Sequence, residues 1–147
     1  MTAPVLLAAL AEMHSEKRGW IFLPELRLGT GYGRDVEQRL DGWAIQAWPS
    51  HGHAPYLRRA FEIKVDIADV TKELRNPDKR WLAYAVSHEF WFVAPTGLID
   101  RKLLSKDDGL MEYDGTNLSI TKTPRVREAM PQTWSFVAAL SRRTNLK

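Results

Sequence analysis

The sequence predicts a mixed α/β fold in a single domain, with helices covering a central sheet. Three observations carry that reading. Apolar residues recur at helical spacing near the N-terminus, and residues 59–66 alternate with a period of two. Phe90-Trp91-Phe92-Val93 is an unbroken apolar run, the pattern of a strand buried on both faces. The chain has 147 residues, 44% hydrophobic and 27% charged. That is ordinary globular composition with room for one continuous core, so residues 1–147 are read as one unit.

The elements come in this order. From Pro4 to Arg18, the spacing of Leu6, Leu7, Leu10 and Met13 predicts a helix, with Pro4 in its first turn and Gly19 at its stop. Trp20–Leu28 reads as a strand interrupted by Pro24 and carrying Glu25. Gly29-Thr30-Gly31-Tyr32-Gly33 reads as a turn or hairpin connection; it lacks the Lys-Ser/Thr of a phosphate-binding loop. Arg39–Trp48 reads as a second strand, closed by Pro49-Ser50-His51-Gly52-His53. His51 and His53 have no third partner nearby and are not read as metal ligands.

In the third strand, Arg59–Asp66, Phe61, Ile63 and Val65 point one way while Glu62, Lys64 and Asp66 point the other. Asp66 then caps a helix running to about Arg75. Asn76-Pro77-Asp78 opens another, predicted to turn Trp81, Leu82, Ala85 and Val86 inward. Glu89–Ala94 is the buried strand. Leu110–Tyr113 and Leu118–Lys122 flank Asp114-Gly115-Thr116-Asn117 as an appended hairpin. Pro131 opens a last helix through Trp134, Val137 and Leu140, ending among Arg142, Arg143 and Lys147, where cations suit the helix dipole. Of the tryptophans, Trp48 beside Pro49 is the one expected outside the core.

Composition narrows the chemistry. Lys plus Arg number 21 against 18 Asp plus Glu, a net charge of +3. This is a mild bias towards anionic partners that does not by itself name nucleic acid. There is no cysteine, which removes disulfides, thiolate zinc sites and cysteine nucleophiles. A metal would be held by carboxylate, carbonyl or imidazole, which favours Mg²⁺ or Mn²⁺. No apolar run approaches the ~20 residues of a membrane span. The N-terminus lacks the basic region of a cleaved leader, so a cytoplasmic home is expected.

Glu62-Ile63-Lys64 is the informative tripeptide. On a strand, Glu62 and Lys64 emerge on the same face about 6.5–7 Å apart. Both would be costly to bury without partners, so that face needs water, partners or a ligand. Asp41 lies in the preceding strand and can face Glu62 if the two pair antiparallel. Two carboxylates so close repel unless a divalent cation lies between them. Hydrolysis of a phosphodiester uses such an arrangement. Asp41 and Glu62 would hold the ion, the Ile63 carbonyl would complete its oxygen shell, and Lys64 would orient the water or stabilise the charge that builds at phosphorus. Glu25 is a candidate further carboxylate.

Asp41, then Glu62-x-Lys64 in the third strand, then a helix and a buried strand, resembles the PD-(D/E)xK nuclease superfamily. The stretch from Glu62 to Leu110 is similar, more narrowly, to MmcB-type DNA-repair proteins of bacteria and phages. That likeness is carried by Glu62-Ile63-Lys64, Asp69, Lys79-Arg80-Trp81, Tyr84, Phe90-Trp91-Phe92-Val93-Ala94-Pro95 and Gly109-Leu110. Leu40 stands where the motif's name has proline, and Val70 where those relatives often show phenylalanine. The resemblance implies a restriction-endonuclease-like mixed sheet flanked by helices, with a C-terminal hairpin and helix. It also implies Mg²⁺- or Mn²⁺-dependent hydrolysis of DNA in repair, recombination or phage DNA processing, and an approach of Lys79 or Tyr84 to the site.

Lys72, Arg75, Lys79 and Arg80 form the best basic cluster, and Arg58 and Arg59 lead into the third strand. Beside a metal centre these residues would contact phosphates without reading sequence. So small a chain has little surface for wrapping DNA, which makes a homodimer or a repair-complex partner plausible. Two other functions compete. In one, the fold is retained as a weakly active or inactive DNA-binding or complex-assembly protein. In the other, the chain is an interaction protein whose Glu62/Lys64 face is an ion pair covered by a partner.

Overall fold

The computed structural model describes residues 1–28, 38–48 and 56–145. The Gly29–Gly33 turn and the Pro49–His53 segment with its two histidines lie outside the described residues. The remaining chain is a mixed α/β structure around one six-stranded sheet in the order β1-β2-β3-β4-β5-β6. The strands are β1 (Trp20–Leu28), β2 (Gln38–Gln46), β3 (Arg58–Ile63), β4 (Glu89–Pro95), β5 (Asp108–Tyr113) and β6 (Leu118–Lys122). β2 runs antiparallel to both of its neighbours, β1 and β3; β3, β4 and β5 are parallel, and β6 turns back antiparallel to β5.

Helix α1 (Ala3–Met13) covers one face of the sheet, and α2 (Ile67–Leu74), α3 (Trp81–Ala85) and α4 (Trp134–Asn145) belong to the other side. Leu6 and Leu10 of α1 join Trp20, Phe61, Trp91, Val93 and Met111 in one core layer. Val70, Leu82 and Phe136 join Trp43, Phe90, Phe92 and Leu110 in the other. β4 is buried along nearly its whole length between the two, as its continuous apolar run requires. No helix among the described residues is long and apolar enough to cross a membrane.

Several boundaries differ from the sequence-based expectation, each for a local reason. α1 stops at Met13; a short 3₁₀ turn, Glu16–Arg18, comes next, and Gly19 ends it in the left-handed region at φ 89°. β2 ends at Gln46, and Trp48 beyond it is exposed, as expected. β3 ends at Ile63 rather than Asp66. The chain leaves the sheet there so that Asp66 can accept from the Ala68 N–H at 2.7 Å and cap α2, and Val65 is therefore exposed instead of inward.

Trp81, expected inward, is 47% exposed. The 3₁₀ turn Pro77–Arg80 precedes it and advances three residues per turn, so the α-helical phase runs through Leu82, Ala83 and Ala85 instead. The last helix begins at Trp134, not Pro131. Trp134 is 86% exposed and Val137 also faces outward, whereas Phe136 and Ala139 supply the buried stripe with Leu140 packed against it. β5, read from sequence as half of an appendage, is an interior strand, and of the hairpin pair β6 alone forms a sheet edge, with β1 at the opposite edge. The turn between them is as expected: the Asp114 carboxylate accepts from the Thr116 and Asn117 N–H groups.

One irregularity positions the site. Leu23 and Leu26 lie in the same core layer although three apart, and so do Leu40 and Trp43 on the paired strand. Both strands therefore switch faces between those residues. Pro24 has no N–H to donate, and Glu25 sits in the left-handed region at φ 51°. At the matching point of β2, Gly42 leaves room for its neighbours, since a Cβ there would come within 2.9 Å of the Phe22 ring. Asp41 stands at this switch.

Candidate active site

The site forms where β3 ends and the β1–β2 pair switches face. The β2–β3 ladder runs as far as Gly42 opposite Phe61, and one further step would place Asp41 opposite Glu62. There the side chain takes over from the backbone: Asp41 Oδ2 accepts from the Ile63 N–H at 2.9 Å. Asp41 is thus anchored to the residue between Glu62 and Lys64. The antiparallel pairing expected from the sequence is present, and it brings the two carboxylates together.

Their electrostatics record that proximity. Burial pushes the Asp41 carboxyl above its ordinary value, opposed by the Ile63 N–H and by the charges of Arg39 and Lys64; nearby Glu25 pushes it further up. Burial, together with the Asp41 charge, raises Glu62 to about 7, with Lys64 pulling the other way and Glu73 adding to the rise. A cation placed between such carboxylates would relieve their repulsion.

Lys64 lies just past the strand, its backbone N–H still bonded to the Val93 carbonyl at 2.9 Å. Its ammonium is 3.4 Å from Glu62 and 3.2 Å from Glu73. Burial alone would lower its pKa, but the two carboxylates outweigh that and raise it. Lys64 is therefore a fixed cation at neutral pH.

A cleft of about 390 Å³ opens over this group, lined by Glu25, Asp41, Glu62, Ile63 and Asp69 on one side and by the start of α1 on the other. Glu25 is exposed there, presented by its left-handed backbone. The structure thus brings Glu25, Asp41, Glu62, Ile63 and Lys64 to one end of the sheet. Among the described residues no three His, Asp or Glu side chains converge as a ready-made metal cage. An ion here would take two carboxylates and complete its shell with water and substrate oxygens, a donor set that suits Mg²⁺, which usually keeps several waters and binds one or two carboxylates.

The expected basic residues divide into two groups. Lys72, Arg75 and Lys79 are exposed. Arg58, Arg59 and Arg80 are held by internal partners. Arg58 contacts the His88 ring at 2.9 Å and sits four residues before Glu62, about 13 Å along the strand. Arg59 donates to Glu89 at 2.8 Å and lies between the rings of Trp20 and Trp91. Arg80 is buried, 3.4 Å from Glu73 and 3.5 Å from Asp108. Tyr84 donates to Asp108 instead of reaching the carboxylates.

Two residues were missed by the sequence reading. Glu73, 4% exposed, joins Lys64 to Arg80. The signal was present, because Glu73 lies three residues after Val70 on the inward stripe of α2. Arg39 is exposed at the switch in β2 and lines the cleft beside Asp41. Next to Leu40 and Asp41 in the sequence it reads only as a strand cation.

No family model matches this chain. A solved protein of unknown function from Silicibacter pomeroyi is similar over 99% of this chain and 90% of its own, with a TM-score of 0.62 at 16% identity, a likeness of fold. Proteins of Mycobacterium tuberculosis and Mycobacterium bovis, each named as a candidate acyltransferase, plsB1, are 29% identical over 92 residues, 60% of this chain. The match spans only 14% of the length of those relatives.

Proposed function

We propose that this chain is a divalent-metal-dependent nuclease that hydrolyses phosphodiester bonds in DNA, working in the cytoplasm in repair, recombination or phage DNA processing. The observation that carries the reading is the convergence of Asp41 and Glu62 on one cleft, with Asp41 tied to the Ile63 backbone and Lys64 ion-paired to Glu62 at 3.4 Å. The resemblance of the Asp41…Glu62-Ile63-Lys64 pattern to PD-(D/E)xK nucleases supports it.

Asp41 and Glu62 would hold Mg²⁺ or Mn²⁺, assisted by the Ile63 carbonyl, with Glu25 as an outer carboxylate. Such an ion supplies Lewis acidity to the phosphate and lowers the pKa of water. The remaining work belongs to the chain. Lys64, kept charged by Glu62 and Glu73, orients the attacking water and stabilises the negative charge that builds on the phosphoryl oxygens. Water adds to phosphorus and gives up a proton to solvent, while the ester bond to the leaving oxygen breaks and that oxygen takes a proton from solvent. The exposed Lys72, Arg75 and Lys79 hold neighbouring phosphates. A homodimer or a partner in a repair complex would extend this small surface along the DNA.

The test is a nicking assay on plasmid and single-stranded DNA with Mg²⁺ and Mn²⁺. Cleavage that disappears in Lys64→Ala is expected. Salt-dependent binding without cleavage in either metal would instead make the chain a nuclease-fold DNA-binding protein. One observation favours that second reading: Lys64 already neutralises Glu62 at 3.4 Å, in competition with a cation.

A further inference from the structure

A second cleft adjoins the first. It measures about 240 Å³, and Arg39 and Glu62 line both. Its floor is apolar and buried, with Ala83 3% and Phe90 1% exposed. The Glu62 and Glu73 carboxylates stand in its wall, and the exposed cations Arg39 and Lys79 stand at its mouth. Among the described residues neither the Arg39 nor the Lys79 side chain makes a hydrogen bond or ion pair, whereas Lys64 and Arg80 beside them are paired.

We infer that this second cleft receives one unpaired nucleobase of the DNA, next to the phosphate held in the first. The inference rests on the nuclease reading of the carboxylate cleft and names the class of substrate it takes. The size fits: the volume is below the ~300 Å³ at which clefts for drug-sized ligands begin, and it holds one planar ring system but no base pair. The chemistry fits as well. The Arg39 guanidinium is planar and can stack on a base, and Lys79 can meet a phosphate at the entrance. The Glu73 carboxylate in the wall, which has no part in holding the ion, can accept from an exocyclic amine such as cytosine N4. A base stacked and paired in a duplex cannot reach a floor this deeply buried. The nucleotide must therefore be single-stranded, bulged or extruded. The sharing of Arg39 and Glu62 places base and phosphate on neighbouring positions of one strand.

The experiment is fluorescence anisotropy in EDTA with three labelled hairpin duplexes: one with a single bulged cytosine, one with an abasic bulge, and one continuous. Unaltered protein is expected to bind the cytosine bulge about tenfold or more tighter than the abasic bulge, the scale of one stacked base. Ala83→Met, which fills the floor, should erase that difference and leave the abasic affinity unchanged. Lys79→Ala should weaken all three alike. Equal affinity of unaltered protein for cytosine and abasic bulges overturns the inference, even if Ala83→Met does not fold; so does a preference that survives in folded Ala83→Met. Hydrolysis is not read in EDTA. A cytosine preference without cleavage in a separate Mg²⁺ assay would thus remove the nuclease reading and keep the base cleft, while failure to bind any duplex removes both.

Discussion

Asp41 Oδ2 accepts the Ile63 backbone N–H at 2.9 Å, so a side chain of β2 fastens the last residue of β3 where the ladder ends. A proposed metal ligand is thereby also a structural hydrogen bond, and the two roles separate by mutation. Asp41→Asn keeps an acceptor for Ile63 and should fold with a stability loss below about 1 kcal/mol, while losing cleavage at least a hundredfold. Asp41→Ala should lose cleavage and a further ~1–2 kcal/mol, the cost of stranding a partly buried N–H. Urea denaturation and plasmid nicking, run on both variants, check the split.

Glu62 gives a pH dependence with a definite sign. Its pKa of about 7 in the fold stands above its ordinary 4.5, so the folded state favours the proton. The stabilising contribution is fully present below about pH 4.5 and is lost as pH rises through 7. Without a cation, Glu62→Gln should therefore be more stable than the natural chain at pH 8, by on the order of 2 kcal/mol, and about equal at pH 4.5. Mg²⁺ should raise the melting temperature of the natural chain at about pH 8 and hardly at about pH 5.5. Melting curves at the two pH values, with and without Mg²⁺, read both effects.

Glu73 is the buried carboxylate between Lys64 and Arg80. Glu73→Ala strands two cations in a largely buried setting and should cost about 3–5 kcal/mol in chemical denaturation. Glu73→Gln retains an acceptor and should cost less. In that variant the Lys64 pKa should fall towards its ordinary value, seen by NMR titration of its side chain.

The last helix offers a contrast of packing within three residues. Trp134 is 86% exposed and Phe136 only 2%. Trp134→Ser should stay within ~0.5 kcal/mol of the natural stability. Phe136→Ala, which empties an edge-on contact with Trp43 at 5.6 Å between ring centres, should cost about 3–5 kcal/mol. Equal effects in thermal unfolding would mean that the helix is rotated from the orientation described.

Local pattern was enough for the identity and order of nearly every element, because strand and helix periods are written in neighbouring residues. The run Phe90–Val93 announced the central strand, Asp66 its helix cap, and Pro24 a break in β1. The tripeptide Glu62-Ile63-Lys64, with Asp41 upstream, marked the cleft for the same reason: alternation along one strand puts Glu62 and Lys64 on the same side. Phase was less legible. Trp81 and Val65 face away from the expected side, since a 3₁₀ turn and an early strand end each rotate the downstream side chains by a residue or two.

Other features depend on distant partners. The partnering of Arg59 with Glu89, of Arg80 with Asp108, and of Lys64 with Glu73 comes from which strands lie side by side and which helix crosses them. No window of neighbouring residues contains that information. The exposure of Arg39 between two clefts arises in the same way, from a shared change of face in β1 and β2. Charges find their counterparts through space, and a buried charge takes whichever counterpart the packed layers bring within reach.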